Sequence, residues 1–149
     1  MSKGANRTVA AHLQKVAHSY AVVYPDHAPR EDDPHYLDFD HIVRAWKKDP
    51  DKWRCAYGVE RGDFSECDLT HPLEVHHNHI EFALLNSVDL ALLEPRYPGV
   101  SDPDKLGAWV ESADNLIVYC ARHHRGHSGV HSATAADFEA SRYIRNLIQ

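Results

Sequence analysis

The feature that most constrains this chain is a run of imidazoles on a segment that alternates as a β-strand does: Leu73-Glu74-Val75-His76-His77-Asn78-His79-Ile80. Adjacent side chains on a strand point to opposite faces, so His76 and His77 cannot easily share one metal ion in regular β geometry. Either one is a ligand while its neighbour faces a different atom of the same site, or the pair is a half-exposed strand feature without a role. A second cluster favours the first reading: Asp114-Asn115-Leu116-Ile117-Val118-Tyr119-Cys120-Ala121-Arg122-His123-His124-Arg125-Gly126-His127. Neutral imidazoles hold divalent cations, and an imidazole takes a proton from water near neutral pH. Phosphodiester hydrolysis needs both, because the leaving 3′-oxygen and the pentavalent phosphate require positive charge.

The 149 residues, 43% hydrophobic, suffice for one domain without disulfide staples. No apolar run approaches the ~18 residues of a membrane span, and nothing after Lys3 and Arg7 forms the apolar region of a secretory signal. A cytoplasmic chain with no membrane partner is expected. Three cysteines cannot all pair, and in a reducing compartment they are free, buried or metal-bound. The net charge of −6 is uneven: residues 53–114 carry twelve acids against four bases, whereas residues 1–20 and 115–149 are net basic. That balance argues against a nonspecific nucleic-acid coat and places any anion contact near the two ends.

Residues 6–20 fit an amphipathic helix with Val9, Leu13, Val16, Ala17 and Tyr20 on one stripe. Residues 24–36, with three prolines and an acidic run, form a loop. A second helix spans 37–48, turning Phe39, Ile42, Val43 and Trp46 inward and stopping before Pro50. Residues 53–66 are irregular or β around Cys55. Residues 82–94 are helix-like, 95–107 a loop, and 115–120 a strand or helix entry. Thr134 and Asp137 cap a last helix with Ala136, Ala140, Tyr143, Ile144 and Leu147 on one face. The fold class is α+β, with a helical extension over 1–52 and the motif-bearing part over 53–149.

Leu-Glu-Val-His-His at 73–77, Asp-Asn-Leu at 114–116 and Cys-x-x-His-His at 120–124 together resemble the HNH endonuclease family, over about residues 53–131. Nine positions separate Asn115 from His124, as in that family. The longer runs, His-His-Asn-His-Ile-Glu-Phe, Gly-Ala-Trp-Val-Glu-Ser-Ala-Asp-Asn-Leu and His-His-Arg-Gly-His, are similar to HNH proteins encoded by bacteriophages. The resemblance implies a ββα-metal core with flanking N- and C-terminal helices. It implies a metal-binding position at His76, the general base at His77, a loop-fixing asparagine at Asn115 and a metal ligand at His124. DNA would be cut to leave a 5′-phosphate, with Mg²⁺ or another divalent ion (Mn²⁺, Ni²⁺ or Zn²⁺) as cofactor.

There are departures. Some members add a ligand four residues beyond the first helical histidine, where this chain has Ser128; His127 falls one position short and stands as a further candidate. His79 is a rival for base or ligand, and His131 ranks below it. Many HNH proteins carry a structural zinc on two Cys-x-x-Cys pairs. Here the second pair is Cys120-x-x-His123, and the first becomes Cys55 and Cys67 with eleven residues between them. That set would use every cysteine and brace His124 from behind; the plainer alternative is that Cys55 and Cys67 are small buried apolar residues.

Arg122 and Arg125 are candidates for DNA phosphate contacts, whereas Arg142 and Arg145 fit a solvated helix face better. Glu74 and Glu81 flank the histidine strand, and either can orient a histidine. Trp46, Trp53 and Trp109 are expected in the core or an interface. A non-catalytic, zinc-braced DNA-binding accessory protein is the rival function, and a metal store or sensor a third. Partners beyond DNA would be a second copy of the chain or phage packaging proteins.

Overall fold

Phe39, Ile42, Val43 and Trp46 recur at helical spacing, and they form the half-buried stripe of helix α1 (Tyr36–Lys47). The computed structural model describes residues 29–126, 130–132 and 139–145, together with Ala10, Ala11, Leu13 and Asp26. The helix expected over 6–20 falls almost wholly outside these residues, as do Thr134, Ala136, Asp137, Leu147 and His127. α1 stops where Pro50 forbids continuation. A single 3₁₀ turn, Arg30–Asp32, precedes it inside the stretch expected to be loop.

The segment expected to be irregular or β contains helix α2 (Ala56–Arg61), begun at Cys55 and ended by Gly62. Gly62 has φ 66°, the left-handed conformation that closes a helix and that glycine adopts without a Cβ penalty. The chain then doubles back, and the Phe64 ring lies against Gly58, leaving no room there for a Cβ. A six-residue helix is too short for the periodicity of an apolar face to show in sequence.

Strand β1 (Glu74–His77) pairs antiparallel with β2 (Leu116–Tyr119) in the register Glu74↔Tyr119, Val75↔Val118, His76↔Ile117 and His77↔Leu116. Cross-strand partners share a face. Glu74, His76, Ile117 and Tyr119 therefore line one side, and Val75, His77, Leu116 and Val118 the other. A two-stranded ribbon is marginal alone. This one is followed at once by helix α5 (Ala121–Arg125), which contacts both strands.

The long insert between the strands holds a 3₁₀ helix (Phe82–Ser87) and the one-turn helix α3 (Leu90–Leu93), where the sequence suggested one continuous helix. It ends in α4 (Pro103–Val110), inside a stretch expected to be loop up to residue 107. Asp102 and Pro103 explain the difference. The Asp102 side chain accepts from the amides of Asp104 and Lys105, and Pro103 fits the first helical position, where no amide is needed. The core forms from Ile80, Leu84, Leu93, Leu106, Trp109 and Val110 with Ala140, Tyr143 and Ile144 of the C-terminal segment. Glu139–Arg142 is a 3₁₀ turn. The architecture is thus mixed helix with a small two-stranded sheet, and no helix of the described residues is long and apolar enough to cross a membrane.

Candidate metal centres

The α2 turn brings Cys67 back to Cys55, and the first residue before α5 brings Cys120 to both. Nδ1 of His123 lies 3.6 Å from Sγ of Cys55, 3.8 Å from Sγ of Cys67 and 3.2 Å from Sγ of Cys120. Ligands on a tetrahedral zinc, at ~2.3 Å for sulfur and ~2.1 Å for nitrogen, stand roughly 3.6 Å from one another. The separations match that geometry, and all four donor atoms fall within 4.8 Å of each other. Cys55, Cys120 and His123 are buried and Cys67 is half-buried. Burial raises the Cys55 thiol, but backbone amides of Cys120, Gly58 and Tyr57 outweigh it and leave it lowered. The Cys67 thiol is raised, by burial and then by the neighbouring Cys55 and Cys120 sulfurs. Three crowded sulfurs cannot all ionise unaided, whereas a cation among them would deprotonate the set. The wide Cys55–Cys67 spacing is therefore no obstacle: helix, glycine turn and the Phe64–Gly58 contact close it.

The second cluster joins β1, α5 and the 3₁₀ turn Val130–Ser132: His76, His124 and His131 place ligand atoms within 4.8 Å of one another. Their rings meet at centroid distances of 5.1 Å (His76–His124), 4.9 Å (His76–His131) and 4.8 Å (His124–His131). Nε2 of His124 and Nε2 of His131 are 3.1 Å apart. The outer nitrogen of each ring faces an acid: Nδ1 of His124 is 3.1 Å from Glu74 Oε2, and Nδ1 of His131 is 3.4 Å from Glu81 Oε1. A carboxylate only accepts, so His124 turns an Nδ1 proton toward Glu74 and presents the lone pair of Nε2. The His131 Nε2 lies beside that lone pair and His76 brings a third imidazole to the same point, a set that could hold a metal ion. Burial, then the nearby His131, His124 and His77, lower His76 to about 3, so its ring is neutral and free to ligate. Burial also lowers His124, against the hydrogen bond to Glu74. Each carboxylate behind a histidine matches the arrangement that fixes metal-binding imidazoles.

Asn115 is fully buried at the entrance of β2. Its Oδ1 accepts from the amides of His79 (2.8 Å) and Ile80 (3.1 Å), and its Nδ2 donates to the carbonyls of Ile80 (2.8 Å) and Val110 (2.9 Å). Its own carbonyl accepts from the amide of Asn78. The backbone directly after His77 is thus clamped by one residue, through its main chain at Asn78 and its side chain at His79 and Ile80. His77 lies on the face opposite His76, as strand alternation requires. Its Nε2 is 3.1 Å from Oε2 of Glu111, and its ring stacks on Phe39 at 5.8 Å and 15°.

His79 belongs to another network: Nδ1 lies 3.0 Å from Glu139 and 2.9 Å from the Tyr97 hydroxyl, with Trp109 stacked on the ring. It ties the C-terminal segment to the core. Arg122 donates to the Glu66 carbonyl and Arg125 to Glu74, on the wall of an open groove of about 630 Å³. Trp109 is buried in the core, whereas Trp46 and Trp53 are half-buried.

The sequence ranks His131 lowest of the candidate site histidines and gives no role to Glu111. A seven-residue gap from His124 that runs through Gly126 and Gly129 carries no periodicity to announce a shared site. Glu111 left a usable signal, an acid following the apolar Trp109 and Val110 at a helix end, since buried acids are seldom unpaired. No family model, curated protein or solved structure matches the chain.

Proposed function

We propose that this protein is a metal-dependent DNA endonuclease with a ββα-metal site of the HNH kind, its fold the α+β core with flanking helices. The observation that carries the reading is the convergence of His76, His124 and His131 around one point, with His77 on the adjacent strand position. The pairing of β1 with β2, and the contact of α5 with both, make neighbours of the three sequence elements that carry the resemblance.

His76, His124 and His131 would hold the cation. When bound, a divalent ion neutralises charge on the scissile phosphate and the leaving 3′-oxygen. His77 takes the proton of an attacking water through Nδ1, since Nε2 faces Glu111. The water oxygen bonds to phosphorus, the bond to the 3′-oxygen breaks, and that oxygen takes a proton from solvent water, so a 5′-phosphate and a 3′-hydroxyl result. Asn115 keeps the His77 backbone in place. Arg122 and Arg125, exposed beside the groove, retain N–H donors for phosphate oxygens. The Cys55, Cys67, Cys120 and His123 set holds a structural zinc directly behind His124.

The cysteine site by itself would also suit a non-catalytic, zinc-braced DNA-binding protein, but that reading gives the three-histidine cluster no task. The deciding experiment is nicking of supercoiled plasmid after EDTA treatment, then with Mg²⁺ or Mn²⁺ restored, on wild type and H77A together. Metal-dependent nicking by wild type, lost in H77A with DNA binding and bound zinc retained, is expected. Absence of nicking under every cation, or H77A at the wild-type rate, overturns the assignment.

A further inference from the structure

Glu111 is the least explained charge in the molecule. It stands at the end of α4, 1% exposed, four residues before Asn115. Buried carboxylates are costly unless fully paired, and this one has two partners. Arg30 donates to it through Nε (3.3 Å) and Nη2 (3.0 Å), as a two-pronged grip. His77 Nε2 lies against Oε2 at 3.1 Å. The Arg30 guanidinium also lies 3.5 Å over the Phe39 ring, and that ring stacks on His77. Arg30, Phe39, Glu111 and His77 therefore close a circuit in which every member touches two others.

We infer that Glu111 is a positioning residue for His77, fixing the proton on Nε2 so that Nδ1 keeps the lone pair that accepts from water, and that Arg30 holds Glu111 in place. This rests on the endonuclease reading above. The geometry gives the reason. A neutral imidazole carries one proton, and which nitrogen holds it is set by the partner of the other nitrogen. An acceptor-only carboxylate permits one tautomer. An amide in its place permits both, because it can donate as well as accept. The stack on Phe39 restrains the plane of the ring, and Asn115 restrains the backbone beneath it. Glu111 supplies what neither does, the choice of nitrogen.

The test has two readouts on the zinc-loaded, full-length chain. Nitrogen-15 correlation spectra of the imidazoles should show wild-type His77 with its proton on Nε2, and a mixture of tautomers in E111Q. Nicking kinetics with Mn²⁺ should show kcat reduced about 10²-fold in E111Q, within the ~10²–10⁴ contributed by a positioned base, with KM for DNA unchanged. The double variant R30Q/E111Q, which leaves no guanidinium facing an amide, should behave like E111Q. E111D, which keeps the charge one methylene further back, should recover part of kcat. A wild-type His77 protonated on Nδ1, or E111Q nicking with wild-type kcat while H77A is inactive, overturns the inference and leaves the nuclease standing. A wild type that never nicks removes the nuclease reading, while the tautomer still decides whether Glu111 governs His77.

Discussion

Glu74 grips His124 from the strand face it shares with His76: its Oε2 lies 3.1 Å from His124 Nδ1 while its Oε1 accepts from Arg125. Burial opposes the charge on Glu74, but Arg125 and His124 outweigh it and hold the carboxyl below its ordinary range. An ionised carboxylate behind a metal-binding imidazole fixes its tautomer and raises its basicity. E74Q should therefore weaken Mn²⁺ binding at the histidine cluster about 10- to 100-fold, and H131A should weaken it further by removing a donor outright. Calorimetric titration of zinc-loaded protein measures both, and equal affinity in wild type and H131A would exclude His131 from the site.

Asn115 should be among the residues least tolerant of change. N115A leaves the amides of His79 and Ile80 and the carbonyls of Ile80 and Val110 without their partner. Each orphaned buried group costs ~1–3 kcal/mol, relieved in part by entering water, so a loss of about 3 kcal/mol or more is expected. N115D keeps the acceptor but sets a second carboxylate oxygen against two carbonyls, and should fare no better. Urea unfolding reads both; a loss below about 1 kcal/mol in N115A would mean that the loop after His77 is held by other contacts.

These two cases show what the sequence made legible. His76, His77, Asn115 and His124 lie on or beside elements whose pattern is local: an alternating strand, a short apolar strand, a Cys-x-x-His-His turn. Cys55 and Cys67 were legible as a pair only through the resemblance to proteins with two Cys-x-x-Cys pairs, because the device that joins them is a short helix closed by Gly62. Glu111 and Arg30 were not legible, and His131 stood only as a minor candidate. Glu111 meets His77 and Arg30 through tertiary packing across 34 and 81 residues, and His131 reaches His124 across a seven-residue gap broken by glycines; no periodicity encodes such meetings. The α4 helix was missed for a different reason. Its Asp-Pro start resembles a turn until the Asp102 side chain is seen capping the next amides.

Stability in acid should depend on Glu139. Burial raises its carboxyl, but hydrogen bonds from His79, Tyr97 and Tyr143 prevail and leave it below the ordinary 4.5. A lowered carboxyl means that the unfolded chain binds the proton more readily. The stabilisation is thus complete above pH 4.5 and is lost as pH falls through that value and on through the lowered one. E139Q removes the charge, so wild type should be more stable than E139Q near neutrality, and the difference should shrink steadily below pH 4.5. Paired urea curves from pH 7 to pH 3 measure it; a gap that stays constant across that range would show that the contact contributes through packing alone.

The cysteine site should decide whether the fold survives at all. Structural zinc sets bind with apparent free energies of ~10–16 kcal/mol in small domains, and that binding is folding free energy. Cys120 lies at the start of α5 and His123 within it, so the ion would join the loop carrying Cys55 and Cys67 to the helix carrying His124. One zinc per chain should persist through EDTA washing that strips the histidine cluster. C120S, which removes the fully buried sulfur, should lose that zinc. If even ~5 kcal/mol of the binding energy supports the fold, the melting midpoint should drop by roughly 10–20 °C. C67S replaces the half-buried ligand and should lose zinc at a lower chelator strength than wild type but retain some at equilibrium. Elemental analysis with thermal melts settles the matter: a C120S protein that keeps its zinc and its midpoint would mean that the four residues converge without holding an ion, and the brace behind His124 would have to come from packing alone.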